Sequence, residues 1–516
     1  MRIPLGKLDP RRRSQKFQRS LRNSSYSLAD YLLLPVLWIV ATPIFLRRLG
    51  VDQYGIWMLV NTVMGFGGVM AFGLTDATIK FVSQYRARQQ LQSVVRVIRA
   101  TLAMYSVLGL LCGLALFFAS PLLVTHVFRV LPGNQGLATT AIRMAGLGIA
   151  VRFIDSVFES SLQGHERYDL SARVSMVVNT LTILCNLYSV SRGHGLITVL
   201  VTIVAFQFGG ATQKALAVMR LTRTAWIAVP KVSGPEMRET LGFGLYSWLQ
   251  GISSISLAQV DRFLIASFLG THALAYYAVC LQLAQQVQAI VAKALSFVFP
   301  LASGEKEKGN QRGLLLYFWR GMTAATVIGT GGGVALFLNA HNILSVWMGR
   351  DFALAAAPTL RVLTLSFAIL ATSVVPYYYL NGAGYVRLNT LFGLLSGASV
   401  SAGAVALIPL FGIVGAACSR LCNLPAAVIA TTVAQYRILE DRRWYAGFLV
   451  YVPVLTTFGI AWLFLANTGE SVLKVPMLLI RSICCFLGGA LLAALQCYLI
   501  YNTGAARQPA AQPALT

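Results

Sequence analysis

Residues 100–120 read ATLAMYSVLGLLCGLALFFAS, twenty-one residues without a single Asp, Glu, Lys or Arg. An α-helix needs about 20 mostly apolar residues to cross the hydrocarbon core of a bilayer. A helix that is apolar on every side is typical of a segment surrounded by lipid or protein rather than by water. This stretch therefore predicts a membrane-spanning helix.

Similar runs recur along the whole chain, and the polar connections between them are too short for a folded domain outside the membrane. About fourteen runs are long enough to span: 28–46, 55–78, 100–120, 139–162, 171–190, 196–219, 241–260, 273–299, 314–338, 357–380, 388–409, 413–435, 445–466 and 477–501. They predict an all-α polytopic membrane protein.

The composition supports the same fold class. Of the 516 residues, 56% are hydrophobic and only 11% are charged, whereas a soluble globular chain has about 25% charged residues. The net charge of +25 would favour nucleic-acid binding in a soluble protein. Here the basic residues lie between apolar runs, which favours the positive-inside rule over nucleic acid.

The distribution of basic residues predicts the topology. The N-terminal segment before the first run is polar and basic, with six of its basic residues between Arg11 and Arg22. We interpret it as a signal anchor with a cytoplasmic N-terminus; a lipid-binding amphipathic segment is the alternative. The predicted inner connections hold Lys80, Arg86, Arg88, Arg96, Arg99, Arg167, Arg173, Lys214, Arg220, Arg223, Lys231, Arg238, Lys306, Lys308, Arg312, Arg320, Arg387, Arg437, Arg442 and Arg443. The predicted outer ones hold only Arg47, Arg48, Arg129, Arg192, Arg262, Arg350 and Lys474. We expect an even number of spans in a bacterial inner membrane, with both termini cytoplasmic.

A weak internal repeat suggests two related halves. LRRLGVDQYGIW at 46–57 and ASFLGTHALAYYAV at 266–279 both place Leu-Gly before a Tyr at the next helix entry. The predicted segments are a basic arm (1–26), a six-helix bundle (27–220), a linker (221–240), a second bundle (241–436), two further helices (444–502) and a disordered cytoplasmic tail (503–516). Transporters commonly bind substrate between such repeats.

Six stretches in order resemble the Wzx-type polysaccharide flippases of the multidrug/oligosaccharidyl-lipid/polysaccharide exporter superfamily. They are TPIFLRRLGVDQYGIWMLV (42–60), FGLTDATIKFVSQY (72–85), LQGHERYDLS (162–171), VDRFLIASFLGTHALAYYAVCLQL (260–283), SVWMGRDFALAAAPTLRVL (345–363) and FGIVGAACSRL (411–421). The resemblance implies two helical bundles around a central cleft that opens alternately to each side. It implies an undecaprenyl-diphosphate-linked oligosaccharide as substrate, destined for a surface polysaccharide such as O-antigen, lipopolysaccharide or exopolysaccharide. Membrane lipids, a polysaccharide polymerase and a chain-length regulator are the expected partners.

Charged residues inside the predicted spans are the candidate site, because such residues usually face a bundle interior or an aqueous cavity. In the fourth predicted helix Arg152, Asp155 and Glu159 share one face. In the eighth, Gln282, Gln286 and Lys293 lie within about 40° of one another. The candidate substrate-binding residues are Arg152, Lys293, Gln282, Gln286, Tyr246, Gln250 and Arg420.

Cations suit a diphosphate, and amides, hydroxyls and aromatic rings suit sugars. The alternative for Arg152 is a structural ion pair with Asp155 or Glu159. These two acids are also candidate sites for coupling to a proton or sodium gradient. For Asp76 and the Asp261–Arg262 pair, at predicted helix ends, a structural or gating role is expected over substrate contact.

The sequence offers little support for an enzyme. The eight cysteines form no CxxC pair and no metal-ligand spacing, so we expect no metal and no other cofactor. No GxxxxGK[ST] motif is present, so direct ATP drive is unsupported. A drug exporter of the same superfamily remains an alternative, although exporters of cationic drugs need acidic sites. A membrane-embedded polymerase or glycosyltransferase is the other alternative.

Overall fold

The computed structural model describes residues 10–68, 73–224, 227, 229–230, 251–252, 255, 258–440, 446–468 and 475–505. Within those residues every regular element is a helix. Eleven stretches are long and apolar enough to cross a membrane. The predicted all-α polytopic membrane fold is confirmed.

The chain divides into two compact units, residues 1–251 and 252–516. The helices of the first unit are α1 (Pro10–Gly67), α2 (Leu74–Ala87), α3 (Leu91–Leu122), α4 (Gln135–Gly164), α5 (Tyr168–Ser191) and α6 (Leu196–Thr222). A π-helical turn, Leu123–Val127, and a 3₁₀ turn, Pro132–Asn134, connect α3 to α4.

In the second unit, the helical residues 258–268 follow the described residues 252 and 255. The next helices are α7 (Thr271–Ala294), α8 (Val298–Glu307), α9 (Gln311–Leu338), α10 (Ala340–Trp347), α11 (Arg350–Thr372) and α12 (Val374–Gly382). After them come α13 (Val386–Ser419), a 3₁₀ turn (Arg420–Asn423), α14 (Leu424–Ile438), α15 (Ala446–Leu449), α16 (Val452–Thr468) and α17 (Val475–Ala505).

Two glycines break long helices and explain the count of spans. Gly50 inside α1 has φ 79° and ψ 164°, and Gly412 inside α13 has φ 60° and ψ −138°. Residues with a Cβ rarely adopt such angles, so each glycine separates two helices. Counted in this way, the eleven spans hold thirteen membrane helices among the described residues. Most of the remaining predicted run, 241–260, lies outside the described residues.

Small residues bring α3 and α4 of the first unit into close contact. A Cβ on Gly146 would lie 2.9 Å from the carbonyl oxygen of Gly113, and one on Gly109 would lie 3.1 Å from the Cα of Ala150. Such contacts let helix backbones approach closely where lipid supplies no hydrophobic drive for packing. Helix α4 also packs against α6 and α1, and this side carries Arg152, Asp155 and Glu159.

The last helix, α17, packs along α9 in the second unit. A Cβ on Gly331 would lie 3.0 Å from the carbonyl oxygen of Phe486, and one on Gly489 would lie 3.2 Å from the Cβ of Val334. Glycines on both helices therefore make the contact close.

Candidate functional site

The candidate site is a cavity of about 320 Å³ inside the first unit, between α1, α4, α5 and α6. Its charged residues are Arg152, Asp155, Glu159 and Lys214, and we call it the charged cavity. Its neutral polar side chains are Asn61, Ser156, Ser175, Asn179, Thr182 and Gln207. A polar cavity within membrane-spanning helices marks a place where a hydrophilic ligand or water is accommodated.

Three of the charged residues form what we call the open cluster: Lys214, Asp155 and Glu159. The Nζ atom of Lys214 lies 2.9 Å from Oδ2 of Asp155 and 3.1 Å from Oε2 of Glu159. The two acids are four residues apart, so they lie on one face of α4 and both reach the same ammonium. The hydroxyl of Ser171 on α5 donates to Oε1 of Glu159 at 3.3 Å.

Exposure within the open cluster is uneven. The side chain of Lys214 is 4% exposed, that of Asp155 17% and that of Glu159 37%. An unpaired ammonium buried this deeply would be very unfavourable, and the two carboxylates compensate it. The carboxylates remain partly open to the cavity, so the cluster can exchange partners with a ligand.

Arg152 lies one turn before Asp155 on α4 and is exposed. Within the part of the chain that the structure describes, its guanidinium makes no ion pair. The close ion pairs of Asp155 and Glu159 are made by Lys214 and not by Arg152, contrary to the alternative of a structural lock through Arg152. Arg152 stays a candidate for contact with an anionic ligand.

Sequence reasoning missed Lys214, which was assigned to an inner connection. Lys214 lies about two turns before the C-terminal end of α6. Gly210, one turn earlier on the same helix, packs closely against Val178 of α5. Its depth in an apolar helix was a usable signal, since a lysine there needs an acidic partner. The choice of partner needed the structure, because 59 residues separate Lys214 from Asp155.

A second ionic cluster, in the second unit, consists of Asp261, Tyr277 and Arg420, and we call it the sealed cluster. Nη2 of Arg420 lies 2.7 Å from Oδ2 of Asp261, and Nε donates to the same oxygen at 2.8 Å. The Tyr277 hydroxyl donates to Asp261 and accepts from Nε of Arg420 at 3.0 Å. The side chains of Asp261 and Arg420 are 1% and 7% exposed.

The sealed cluster changes the interpretation of Arg420. The sequence suggested a substrate-binding role, but its guanidinium is buried, paired with Asp261 and packed 5.3 Å from the centre of the Phe367 ring. We assign Arg420 a structural role, because a substrate would have to displace a buried carboxylate to reach it. Asp261, expected to be structural or gating, is its partner. The backbone N–H of Arg262 also donates to Asp261.

The other predicted site residues lie elsewhere. Lys293 is half-buried in the last turn of α7, and Gln282 and Gln286 are half-buried on the same helix. Tyr246 and Gln250 lie outside the described residues. Asp76 is exposed in the first turn of α2, where a carboxylate favours the helix dipole.

Comparison with known proteins identifies the family. The profile of the family "Polysaccharide biosynthesis protein" matches residues 20–304. The chain belongs to this family. The match covers more than half of the sequence and includes the whole charged cavity, Tyr277 and Asp261.

Individual relatives agree with this assignment. A putative O-antigen transporter of Shigella flexneri is 20% identical over 417 residues, which are 77% of this chain and 93% of the relative. Among solved structures, the lipid II flippase MurJ in an inward closed conformation covers 93% of this chain and 99% of its own, with a TM-score of 0.70 and 12% identity. An inward-facing multidrug resistance MATE transporter of the MOP superfamily covers 81% of this chain and 99% of its own, with a TM-score of 0.65 and 14% identity. The expected polysaccharide biosynthesis family is confirmed, and the two solved structures share the fold of this chain. The protein is a multi-pass membrane protein of polysaccharide biosynthesis.

Proposed function

We propose that this protein carries undecaprenyl-diphosphate-linked oligosaccharides across the bacterial inner membrane for the synthesis of a surface polysaccharide. The observation that carries the proposal is the charged cavity within a membrane-spanning bundle. Membership of a polysaccharide biosynthesis family supports the substrate class. The relative named as an O-antigen transporter supports transport. Transport is by alternating access, so no covalent bond is made or broken.

The lining of the charged cavity suits both parts of this substrate. The amides of Asn61, Asn179 and Gln207 can donate to and accept from sugar hydroxyls. Arg152 presents a planar fork of donors that matches phosphate oxygens. Lys293 on α7, with Gln282 and Gln286, stays a further candidate for substrate contact.

The charge balance of the cavity suggests how a cation is coupled to transport. Arg152 and Lys214 compensate Asp155 and Glu159, so the four formal charges sum to zero. A diphosphate that enters competes with the two carboxylates for Lys214. Each carboxylate that loses the ammonium then favours a proton or a sodium ion. In this proposal, anion binding and cation uptake are linked, and each strengthens the other.

Reconstitution tests the proposed function. The full chain is placed in proteoliposomes with an undecaprenyl-diphosphate-linked oligosaccharide, and a membrane-impermeant glycosidase reports which fraction lies in the outer leaflet. We expect the protected fraction to become accessible with the wild-type protein and to stay protected in protein-free vesicles. Equal protection in both, with the protein folded, would overturn the proposal. Export of cationic dyes by the same vesicles would favour the drug-exporter alternative.

A further inference from the structure

A second cavity of the first unit, of about 350 Å³, lies where three connections meet. The connections are those between α2 and α3, between α4 and α5, and after α6. The residues that line it include Arg86, Gln89, His165, Glu166 and Arg167. We call it the interface pocket. It shares no residue with the charged cavity.

The interface pocket lies at the ends of the membrane spans. One span begins at Leu91, one ends at Gly164, the next begins at Tyr168, and a fourth ends at Thr222. The polar lining residues therefore lie just outside the apolar segments, at the level where lipid headgroups lie. This end of the unit is strongly basic, since its described residues include Lys80, Arg86, Arg88, Arg96, Arg99, Arg167, Arg173, Arg220 and Arg223 against Glu166 and Asp169.

Two guanidinium groups in the interface pocket retain unused donors. Asp169 orients Arg167, which donates to it through Nε at 3.0 Å and Nη2 at 3.3 Å. Two of the five N–H groups of Arg167 are used in this way. The others bond to none of the residues that the structure describes and are available for an anion. Arg86 lies 3.6 Å from Glu166, a loose pair whose side chains are 42% and 78% exposed.

The pocket also contains acceptors. Glu166 is one, and the imidazole of His165 is another. Nδ1 of His165 is 2.7 Å from the carbonyl oxygen of Ser161, and because a carbonyl only accepts, Nδ1 carries the proton. Burial lowers the pKa of His165, so the neutral ring, with Nε2 as an acceptor, is favoured near neutral pH.

Two positions of this pocket have a left-handed backbone conformation, where glycine is the usual residue, yet both carry a side chain. Gln89 and Glu166 have φ of 58° and 57°, and they end α2 and α4 in the arrangement in which the next N–H bonds back to the helix. A side chain in this conformation costs about 1 kcal/mol relative to glycine. Both side chains line the pocket, which is consistent with a use for them there.

Donors for a phosphate and acceptors for an ammonium lie together in one pocket at headgroup level. We propose that the interface pocket binds the headgroup of a phosphatidylethanolamine-type lipid. Arg86 and Arg167 bind its phosphate, and Glu166 and Nε2 of His165 accept N–H groups of its primary ammonium. A phosphatidylglycerol headgroup lacks the ammonium, and a phosphatidylcholine headgroup has an ammonium without N–H groups. We therefore expect selectivity for phosphatidylethanolamine over both.

Lipid titration of the purified full chain tests this. Phosphatidylethanolamine, phosphatidylglycerol and phosphatidylcholine with the same acyl chains are added in detergent, and the increase in thermal unfolding midpoint gives the apparent affinity. We expect phosphatidylethanolamine to bind most tightly. Arg86→Gln should weaken binding of phosphatidylethanolamine and phosphatidylglycerol about fivefold, as expected for one basic residue near a lipid headgroup. The matched control Arg88→Gln removes the same charge from the same connection, outside the lining residues, and should change neither.

Glu166→Gln tests the ammonium contact separately. This substitution should weaken the binding of phosphatidylethanolamine about fivefold, the effect of one charge near the headgroup. Phosphatidylglycerol should bind at least as tightly as it does to the wild-type protein. The side chains of Arg86 and Glu166 are exposed, so replacing either one should not disturb the core. The thermal unfolding midpoint of each variant without lipid verifies that it is folded. Equal shifts for the three lipids, or equal losses for Arg86→Gln and Arg88→Gln, would mean general electrostatic attraction and would overturn the proposal. An unchanged ratio between the first two lipids in Glu166→Gln would also overturn it.

Discussion

The open cluster of the first unit and the sealed cluster of the second both consist of acidic and basic side chains. They differ in how completely the charged atoms are paired and in how exposed the side chains are. In the sealed cluster one carboxylate faces one guanidinium, and the Tyr277 hydroxyl bonds to both. In the open cluster two carboxylates share one ammonium beside a cavity. Oδ1 of Asp155 is buried and accepts no hydrogen bond from the described residues.

This difference separates a structural from a functional arrangement. A fully buried, fully paired ion pair stabilises one conformation only while both partners are present. An acid pair with spare capacity, next to water or ligand, can change partners at a small free-energy cost. The comparison therefore assigns stability to the sealed cluster and ligand exchange to the open one, and the predictions below test that division.

The largest expected effect is on the sealed cluster. Asp261→Ala leaves Arg420 buried without its carboxylate, which should lower the free energy of unfolding by about 3–5 kcal/mol. Denaturant unfolding of the purified protein and its level in the membrane measure this. In the double variant Asp261→Ala/Arg420→Met the charge is gone as well, so part of the stability should return. Strictly additive losses would mean that the two residues are not coupled.

In the open cluster, removing the cation should affect transport more than folding. Lys214→Met leaves two carboxylates beside a cavity where protons or water can compensate them. Transport in the proteoliposome assay should fall at least about tenfold, equivalent to about 1.4 kcal/mol of barrier, while the protein still accumulates. Lys214→Arg keeps the charge and should retain part of the transport. Loss of the Lys214→Met protein from the membrane would show that the open cluster is structural too. The distinction between the open and the sealed cluster would then be wrong.

Arg152 should show a still smaller effect on stability. It is exposed and has no ion pair among the described residues, so Arg152→Gln should change the free energy of unfolding by no more than about 0.5 kcal/mol. Transport of a diphosphate-linked substrate should fall about fivefold, because one donor to phosphate is lost. Arg143→Gln is the control on the same helix. Arg143 bonds to Ser120 and stacks on Phe117 away from the cavity, so its loss should leave transport unchanged.

The sequence predicted the helices much better than the partners of their side chains. Apolar runs locate spans because lipid imposes about 20 apolar residues on each helix. The same rule cannot place the helix breaks at Gly50 and Gly412, since glycine is also common inside membrane helices. The run at 55–78 was predicted as one helix, whereas α1 ends at Gly67 and α2 begins at Leu74.

For the site, periodicity placed Asp155 and Glu159 on one face of α4, and the structure agrees. It could not tell which helix that face contacts, so Lys214 was missed and Arg152 was weighed as the partner. Asp261 and Arg420 are 159 residues apart, and their pairing depends on tertiary packing alone. The periodicity of a single helix predicts which of its residues lie on the same face. Only the packed bundle identifies the residues of other helices that contact this face.

The smallest expected effect on transport tests whether the open cluster depends on its neutral neighbour, Ser171. Ser171 donates one hydrogen bond to Glu159, and at 3.3 Å it is long. Ser171→Ala should lower the free energy of unfolding by about 1 kcal/mol, the net value of one such bond. Transport should stay near the wild-type rate because Lys214 still holds both acids. Ser175→Ala is the matched control, since Ser175 lies one turn further along the same helix and lines the charged cavity. Its side chain makes no hydrogen bond with the described residues, so the free energy of unfolding should change by less than about 0.5 kcal/mol. If Ser171→Ala instead reduced transport as strongly as Lys214→Met, Glu159 would depend on a rigid set of partners, as Asp261 does. The open cluster would then share the structural character of the sealed one.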